Sequence, residues 1–419
     1  MCIRDRFEAT ELCVDSLREG REVRVQGLLG GSRGLFISRV LDRWGRAIVV
    51  VPTEEELDCL VDDIGFFSGN ERVIPMAVDP YGLQEPEREA LRALLRFLEG
   101  EKAAIITTPE GLLLKVPSKE VLEALKLSLR VHQVIDRNWL IERLVELGYE
   151  RVPMVETPGE MSVRGAILDL FPPERADPLR IEFFDNTIES IRTFDPHTQR
   201  STAKLEHVVL WPAKLEGPNP LAREFADHLI VVEPEEVFER LKDFEPNPLF
   251  CAYGEIEGFL RDSPKVLLDG LWAESEGIRV EVQGHQGLRE EVRAKGLKVL
   301  TFRIRDWFSR GHEVNIVISA EQQATRFSEI LESYGIRGSP AGPKRGTVVG
   351  LSVGSLCRGF VLKKEGVVYL TETEIFGRKP RPSLRPKRGK LLDFDELKPG
   401  DYVVHVDYGI GIFLSLIHI

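Results

Sequence analysis

GEMSVRGAILDLFPPERADPLRIEFFDNTIESIRTFDPHTQRS, residues 159–201, alternates short β-prone runs with turn residues, and its reading decides the fold of the middle of the chain. It reads as a small antiparallel meander. In the middle strand Leu179, Ile181 and Phe183 alternate with Arg180, Glu182 and Phe184. Period-two alternation sends the first set to a core and the second to water. Asp185-Asn186 marks a tight turn after that strand. Ile188 and Ile191 stand three apart in the next one, which breaks the alternation and places a bulge there. Asp195-Pro196 ends the meander. Phe184 is therefore a large ring on the face that should be polar. An exposed ring beside an arginine points to a partner-binding surface. The competing expectation is an ordinary wet strand face whose stray ring is covered by a neighbouring loop.

On the N-terminal side, Asp136 caps a helix expected to carry Trp139, Leu140, Leu144 and Leu147 inward and to stop at Gly148. Further upstream lie strand-and-helix units of a parallel sheet. Ala47–Val51 is a buried-type strand, Thr53 and Glu56 form a capping box for the helix after it, and Ala103–Thr107 is another strand. The helix of Pro86–Gly100 puts Leu91, Leu94, Leu95 and Leu98 on one side, a stripe that faces a core. After the meander, residues 212–310 mix prolines with helical patterns and mark no chemistry. Asn315–Ser319, a helix running from Gln322 to about Tyr334, and the β-rich text from Gly346 form a further small α/β unit.

A Gly-rich turn follows the strand pattern at 21–34, where backbone N–H groups could cradle a phosphate. The P-loop pattern counted from Gly27 puts Ser32, Arg33 and Gly34 at the places of Gly, Lys and Ser/Thr. With no lysine and no hydroxyl for Mg²⁺, no cofactor is expected at this degenerate loop. The histidines lack ligand spacing, no carboxylate pair is marked as catalytic, and there is no Gly-x-Ser-x-Gly elbow. Neither a metal site nor a catalytic residue is expected.

The chain has 419 residues, so several domains are expected, and its net charge of -12 argues against nonspecific coating of nucleic acid. Cys2, Cys13, Cys59, Cys251 and Cys357 are far apart in sequence, which suits a reduced compartment. No apolar run reaches the roughly 20 residues of a membrane span, so the cytoplasm is expected. MCIRDR at the start and LSLIHI at the end break the local patterns, as a fragment would. Arg378–Lys390 alternates cations with Pro380, Pro382 and Pro386 and reads as an extended linker, soluble or in weak contact with phosphates. LKPGDYVVHVDYGIGIF then opens a β-rich module.

The meander text closely resembles the domain by which bacterial transcription-repair coupling factors (Mfd) and the excision-repair protein UvrB bind UvrA. LTETEIFG and LKPGDYVVHVDYGIGIF are similar to the coupling factors rather than to UvrB. The resemblance runs from about residue 20 to 413. It implies an α/β multidomain fold: a degenerate P-loop-like domain at 7–117, an inserted UvrA-binding α+β domain at 118–211, and a second part of the UvrB-like module at 212–311. A small α/β domain at 312–377, a basic linker at 378–392 and the truncated start of a β-barrel-like domain at 393–419 complete it. Carried over residue by residue, the UvrA contacts fall on Arg164, Arg180 and Phe184.

The implied partners are UvrA, the RNA polymerase β subunit and, in the full-length family, DNA. ATP and Mg belong to a translocase motor after the polymerase-binding domain, so this chain is not expected to be an enzyme. UvrB would instead carry an intact P-loop and a tyrosine-rich hairpin, where this chain has Asp79–Ala90 with the single Tyr81. A UvrB-like nucleotide-dependent excinuclease subunit is the alternative, and a polymerase-binding module acting through Asp401–Phe413 a third. In the family the UvrA surface is masked by another domain until the motor engages DNA, so this chain should be open to UvrA. Replacing Arg180 and Phe184 by alanine should abolish capture and leave the unfolding midpoint nearly unchanged.

Overall fold

The computed structural model describes residues 8–19, 22–78, 86–100, 102–214, 217–272, 276–377, 402–405 and 409–412. Tyr81, the linker 378–392 and most of Asp401–Phe413 lie outside them. The chain divides into two units, Met1–Phe376 and Gly377–Ile419.

Parallel strands need crossovers and are covered on both faces, so they read as continuous apolar runs. Arg46–Val50, Ala103–Thr107, Leu229–Val232 and Lys265–Asp269 are such runs, with nearly every residue buried. They lie in one seven-stranded parallel sheet together with Ile278–Arg279, Glu22–Gln26 and Val73–Met76. Strands from both sides of the meander thus share a single sheet, and the meander is an excursion from it. Leu91, Leu94 and Leu95 of helix Pro86–Glu99 are buried against this sheet, as the stripe requires.

The meander sheet runs in the order Ser201–Leu205, Thr187–Phe194, Leu179–Phe184, Ile167–Leu170, Glu160–Arg164, Glu150–Arg151. Its inner face joins Met161, Leu168, Leu170, Leu179, Ile181, Phe183, Ile188 and Ile191 to Leu140, Leu144 and Leu147 of helix Arg137–Glu146. Asp136 caps that helix through Trp139 N–H at 2.8 Å. Trp139 itself is 49% exposed, which corrects the inward expectation. At 100° per residue it falls on the face beside Leu140 and misses the buried stripe. The bulge lies where the broken alternation puts it. Glu182 pairs with Ser190 and Phe183 with Ile188, leaving Glu189 as the extra residue. Asp185 takes φ 53° in the hairpin turn, a conformation that an Asp tolerates.

The loop after Leu170 docks on the parallel-sheet domain. Arg92 Nε donates to Pro173 O at 2.8 Å, Trp211 Nε1 to Glu99 Oε1 at 3.3 Å, and Tyr149 Oη to Trp211 O at 3.0 Å. Both carboxyl oxygens of Glu174 are buried there, with no partner among the described residues beyond its own backbone N–H. Burial, with Glu99 adding repulsion, pushes this carboxyl up to about 7 despite Arg175 and Arg92 nearby.

A third sheet orders Val282–Gln283, Phe360–Leu362, Val367–Thr371, Glu313–Ile318, Val348–Val353 and Arg337–Ser339, with its last four strands parallel. Helix Glu321–Ser333 packs Ala324, Phe327 and Leu331 onto it. Cys59 and Cys357 form a disulfide across 298 residues, a pairing that the wide spacing of the cysteines does not announce. Sequence distance is no guide here, because folding lays the 355–359 loop over helix Glu54–Ser68. Ser355 Oγ on Asp62 and Cys357 N–H on Asp63 mark the seam. In the second unit, Tyr402–His405 pairs antiparallel with Gly409–Ile412. Among the described residues no helix is long and apolar enough to cross a membrane.

Candidate functional site

The outer face of the meander is built by register. Ser162, Asp169, Arg180, Arg192 and Lys204 lie opposite one another across five adjacent strands. Paired residues share a face, so the row puts three cations and one carboxylate side by side. Asp169 is 1% exposed in its side chain and is held by two arginines. Arg180 makes a two-pronged contact, Nε to Oδ1 at 2.7 Å and Nη2 to Oδ2 at 2.9 Å, while Arg164 Nη2 reaches Oδ2 at 2.6 Å. Arg180 also donates to Gln199 O at 3.1 Å and lies 4.6 Å over the Phe194 ring. Its hydrogen bond to Asp169 pushes its pKa further up. Glu182 takes Arg192 at 3.1 Å and Ser190 Oγ at 2.6 Å.

The three residues read from the sequence therefore differ in availability. Phe184 is 71% exposed at the end of its strand, so no loop among the described residues covers it. Arg164 is 49% exposed in its side chain and Arg180 only 16%. The carboxylate that Arg180 grips belongs to its own chain. Two neighbours escape a reading of the middle strand alone. Asp169 is one; its place opposite Arg180, between inward Leu168 and Leu170, is visible in AILDL once the strands are paired. Val134 is the other, 75% exposed and bridged to Thr187, which in turn pairs with Phe184. His132, at φ 67°, turns the chain to make that bridge, with its N–H on Ile188 O at 2.8 Å. Val134 and Phe184 thus flank Thr187 on one edge of the face.

The degenerate P-loop is the other candidate, and it is closed. Gly31 N–H is spent on Arg358 O at 2.9 Å, and Leu29 N–H on Ser32 Oγ at 2.9 Å. Leu356 and Arg358 lie so close over Gly30 and Gly31 that a side chain on either glycine would meet them. Arg33 Nε donates to Leu28 O at 3.1 Å, and its guanidinium is shared by Glu56, at 3.5 Å, and Glu233. Thr53 caps its helix through Glu56 N–H at 3.2 Å, but the Glu56 side chain turns to Arg33, so only half of the capping box forms. Burial raises the Glu56 carboxyl against the pull of Arg33, and burial likewise raises Asp269 beside Arg24. Glu56, Glu233 and Asp269 repel an anion, and the N–H groups of Leu29 and Gly31 are already used. These residues do not fit a nucleotide phosphate.

Residues 127–215 match the family model described as UvrB interaction domain, and 397–419 the CarD-like/TRCF RID domain. The meander lies within the first of these matched segments. Along 96% of its length the chain is 29% identical to the transcription-repair-coupling factor of Myxococcus xanthus and 24% identical to that of Bacillus subtilis. The chain is similar to these transcription-repair-coupling factors and spans 43% of the length of each of the two. A DEAD box protein from Methanococcus jannaschii aligns over 89% of the chain with TM-score 0.30 and 9% identity, too distant to carry a fold assignment.

Proposed function

We propose that this chain is the UvrA-recruiting part of a transcription-repair coupling factor and acts in the cytoplasm. The observation that carries this is Phe184, held out on the same outer face of the UvrB-type module as Arg164. Arg164 offers the partner a guanidinium with exposed donors, Phe184 fills an apolar pocket, and Arg180 holds the face in shape through Asp169. The match at 397–419 supports RNA polymerase as a second partner, and DNA belongs to the full-length family. Binding of purified UvrA to the 419-residue chain, read by calorimetry, tests the reading. Saturable binding lost in Phe184→Ala supports it; equal binding by that variant overturns it.

Against the UvrB-like excinuclease alternative stand Arg33 and the carboxylates around it, and the chain is proposed to bind no nucleotide and to catalyse nothing itself. Titration with ATP and Mg²⁺ should give no heat above dilution; a saturable isotherm would revive the alternative.

A further inference from the structure

Residues 289–310 hold seven Lys or Arg against three Asp or Glu, in a chain whose net charge is -12. They form two helices, Leu288–Lys295 and Lys298–Ser309, joined at Gly296 with φ 72°. The inward residues Leu288, Val292, Leu300 and Ile304 enter the core of the third sheet. Two ion pairs neutralise part of the charge, Arg303 with Glu291 and Arg310 with Asp306. Arg289, Arg293, Lys295 and Lys298 are exposed and make no ion pair among the described residues. Between Lys298 and Arg305, on the same stripe at spacings of four and three, stands Phe302, 74% exposed. Arg305 is exposed too, and one of its nitrogens donates to Tyr334 O at 2.8 Å. Lys298 and Arg305 are about 10 Å apart along the helix axis, with the ring between them.

A helix face kept only for solubility needs no ring, and a face made for an apolar partner does not surround its ring with unpaired cations. We propose that this face binds single-stranded nucleic acid, with Phe302 as a stacking platform and Lys298 and Arg305 on the phosphates. Cations tracking a backbone beside an aromatic that accepts any base is how sequence-tolerant single-strand sites work. A duplex keeps its bases stacked and offers nothing to Phe302, while an acidic peptide offers charge without a planar partner.

The test is fluorescence anisotropy of a labelled dT20 strand titrated with the full 419-residue chain at low salt. Phe302→Ala should weaken binding about fivefold or more, and Lys298→Glu should lower the salt slope by about one. The same strand in duplex form should bind more weakly, and polyglutamate should compete poorly. Absence of binding at low salt overturns the proposal. So does equal competition by polyglutamate, which would mark a mere polyanion contact. Binding that survives both substitutions but is lost on neutralising the cations of 378–390 also overturns it. Circular dichroism of each variant separates loss of contact from loss of fold.

Discussion

The sealed end of the parallel sheet and the outer face of the meander use one device with opposite signs. At the sheet end one arginine, Arg33, is shared by two carboxylates, Glu56 and Glu233. On the meander one carboxylate, Asp169, is shared by two arginines, Arg164 and Arg180. The first arrangement leaves negative charge in excess, with Asp269 adding to it, and the 355–359 loop lies across it. The second leaves positive charge in excess, with a bare ring on the same face. Sharing makes either cluster stable. The sign left over, and what covers it, decide whether the place can receive anything.

The largest expected effect strikes the shared carboxylate. Removing one partner of a buried ion pair costs about 3–5 kcal/mol, because the other charge stays buried. Asp169→Asn should lower the unfolding free energy toward the lower end of that range, read by urea titration, because it strands Arg180 at 16% exposure while Arg164, 49% exposed, returns to water. Arg33→Met should cost less, since Glu56 and Glu233 keep 38% and 32% of their side-chain surface in water. A larger loss from Arg33→Met would break the comparison.

Next comes the joint between the two regions. The Glu174 carboxyl is raised from 4.5 to about 7 in the folded chain. A raised group adds stability that is complete below its unfolded pKa and fades as pH climbs through the folded one. The chain should accordingly lose stability mainly between pH 4.5 and 7, this group contributing about 3 kcal/mol over that whole window and about 1 kcal/mol of it between pH 6 and pH 8. Glu174→Gln should flatten that slope. A slope unchanged in the variant would place its origin elsewhere.

Phe184→Ala follows, now on binding alone. Loss of an exposed hot-spot ring costs about 2 kcal/mol, near thirtyfold in UvrA affinity, with stability moving by no more than about 0.5 kcal/mol. A fall in stability of similar size would mean that the ring serves the fold.

Legibility followed the physics of each element. The meander could be read because each of its strands has one wet face, so that Leu179, Ile181 and Phe183 separate from their neighbours by period alone. Even the bulge showed, as a break in that period at Ile188 and Ile191. The parallel strands were legible as apolar runs but their order was not, since a run buried on both faces carries no mark of its neighbour. Lys265–Asp269 beside Glu22–Gln26 is a case. Of the site, Phe184 was legible because exposure of an aromatic contradicts alternation. The difference between Arg164 and Arg180 was not: it depends on Asp169, Gln199 and Phe194, which only pairing brings to one place. Trp139 failed for a related reason, an apolar residue one position off the buried stripe.

That difference between the arginines sets the smallest expected change in stability. Arg164 is half in water and holds Asp169 by one contact, so Arg164→Ala should cost less than about 1 kcal/mol of stability. Arg180→Ala removes the two-pronged grip, the Gln199 contact and the contact with the Phe194 ring beneath, and should cost visibly more, so the expectation that the unfolding midpoint would hardly move fits Phe184 and not Arg180. If Arg164 is the guanidinium that meets UvrA, Arg164→Ala should weaken capture at near-constant stability. Arg164→Lys should recover only part of it, since an ammonium cannot offer a planar fork. Should lysine restore capture in full, the partner is reading charge alone, and the geometry that Asp169 imposes on Arg164 has no role in recognition.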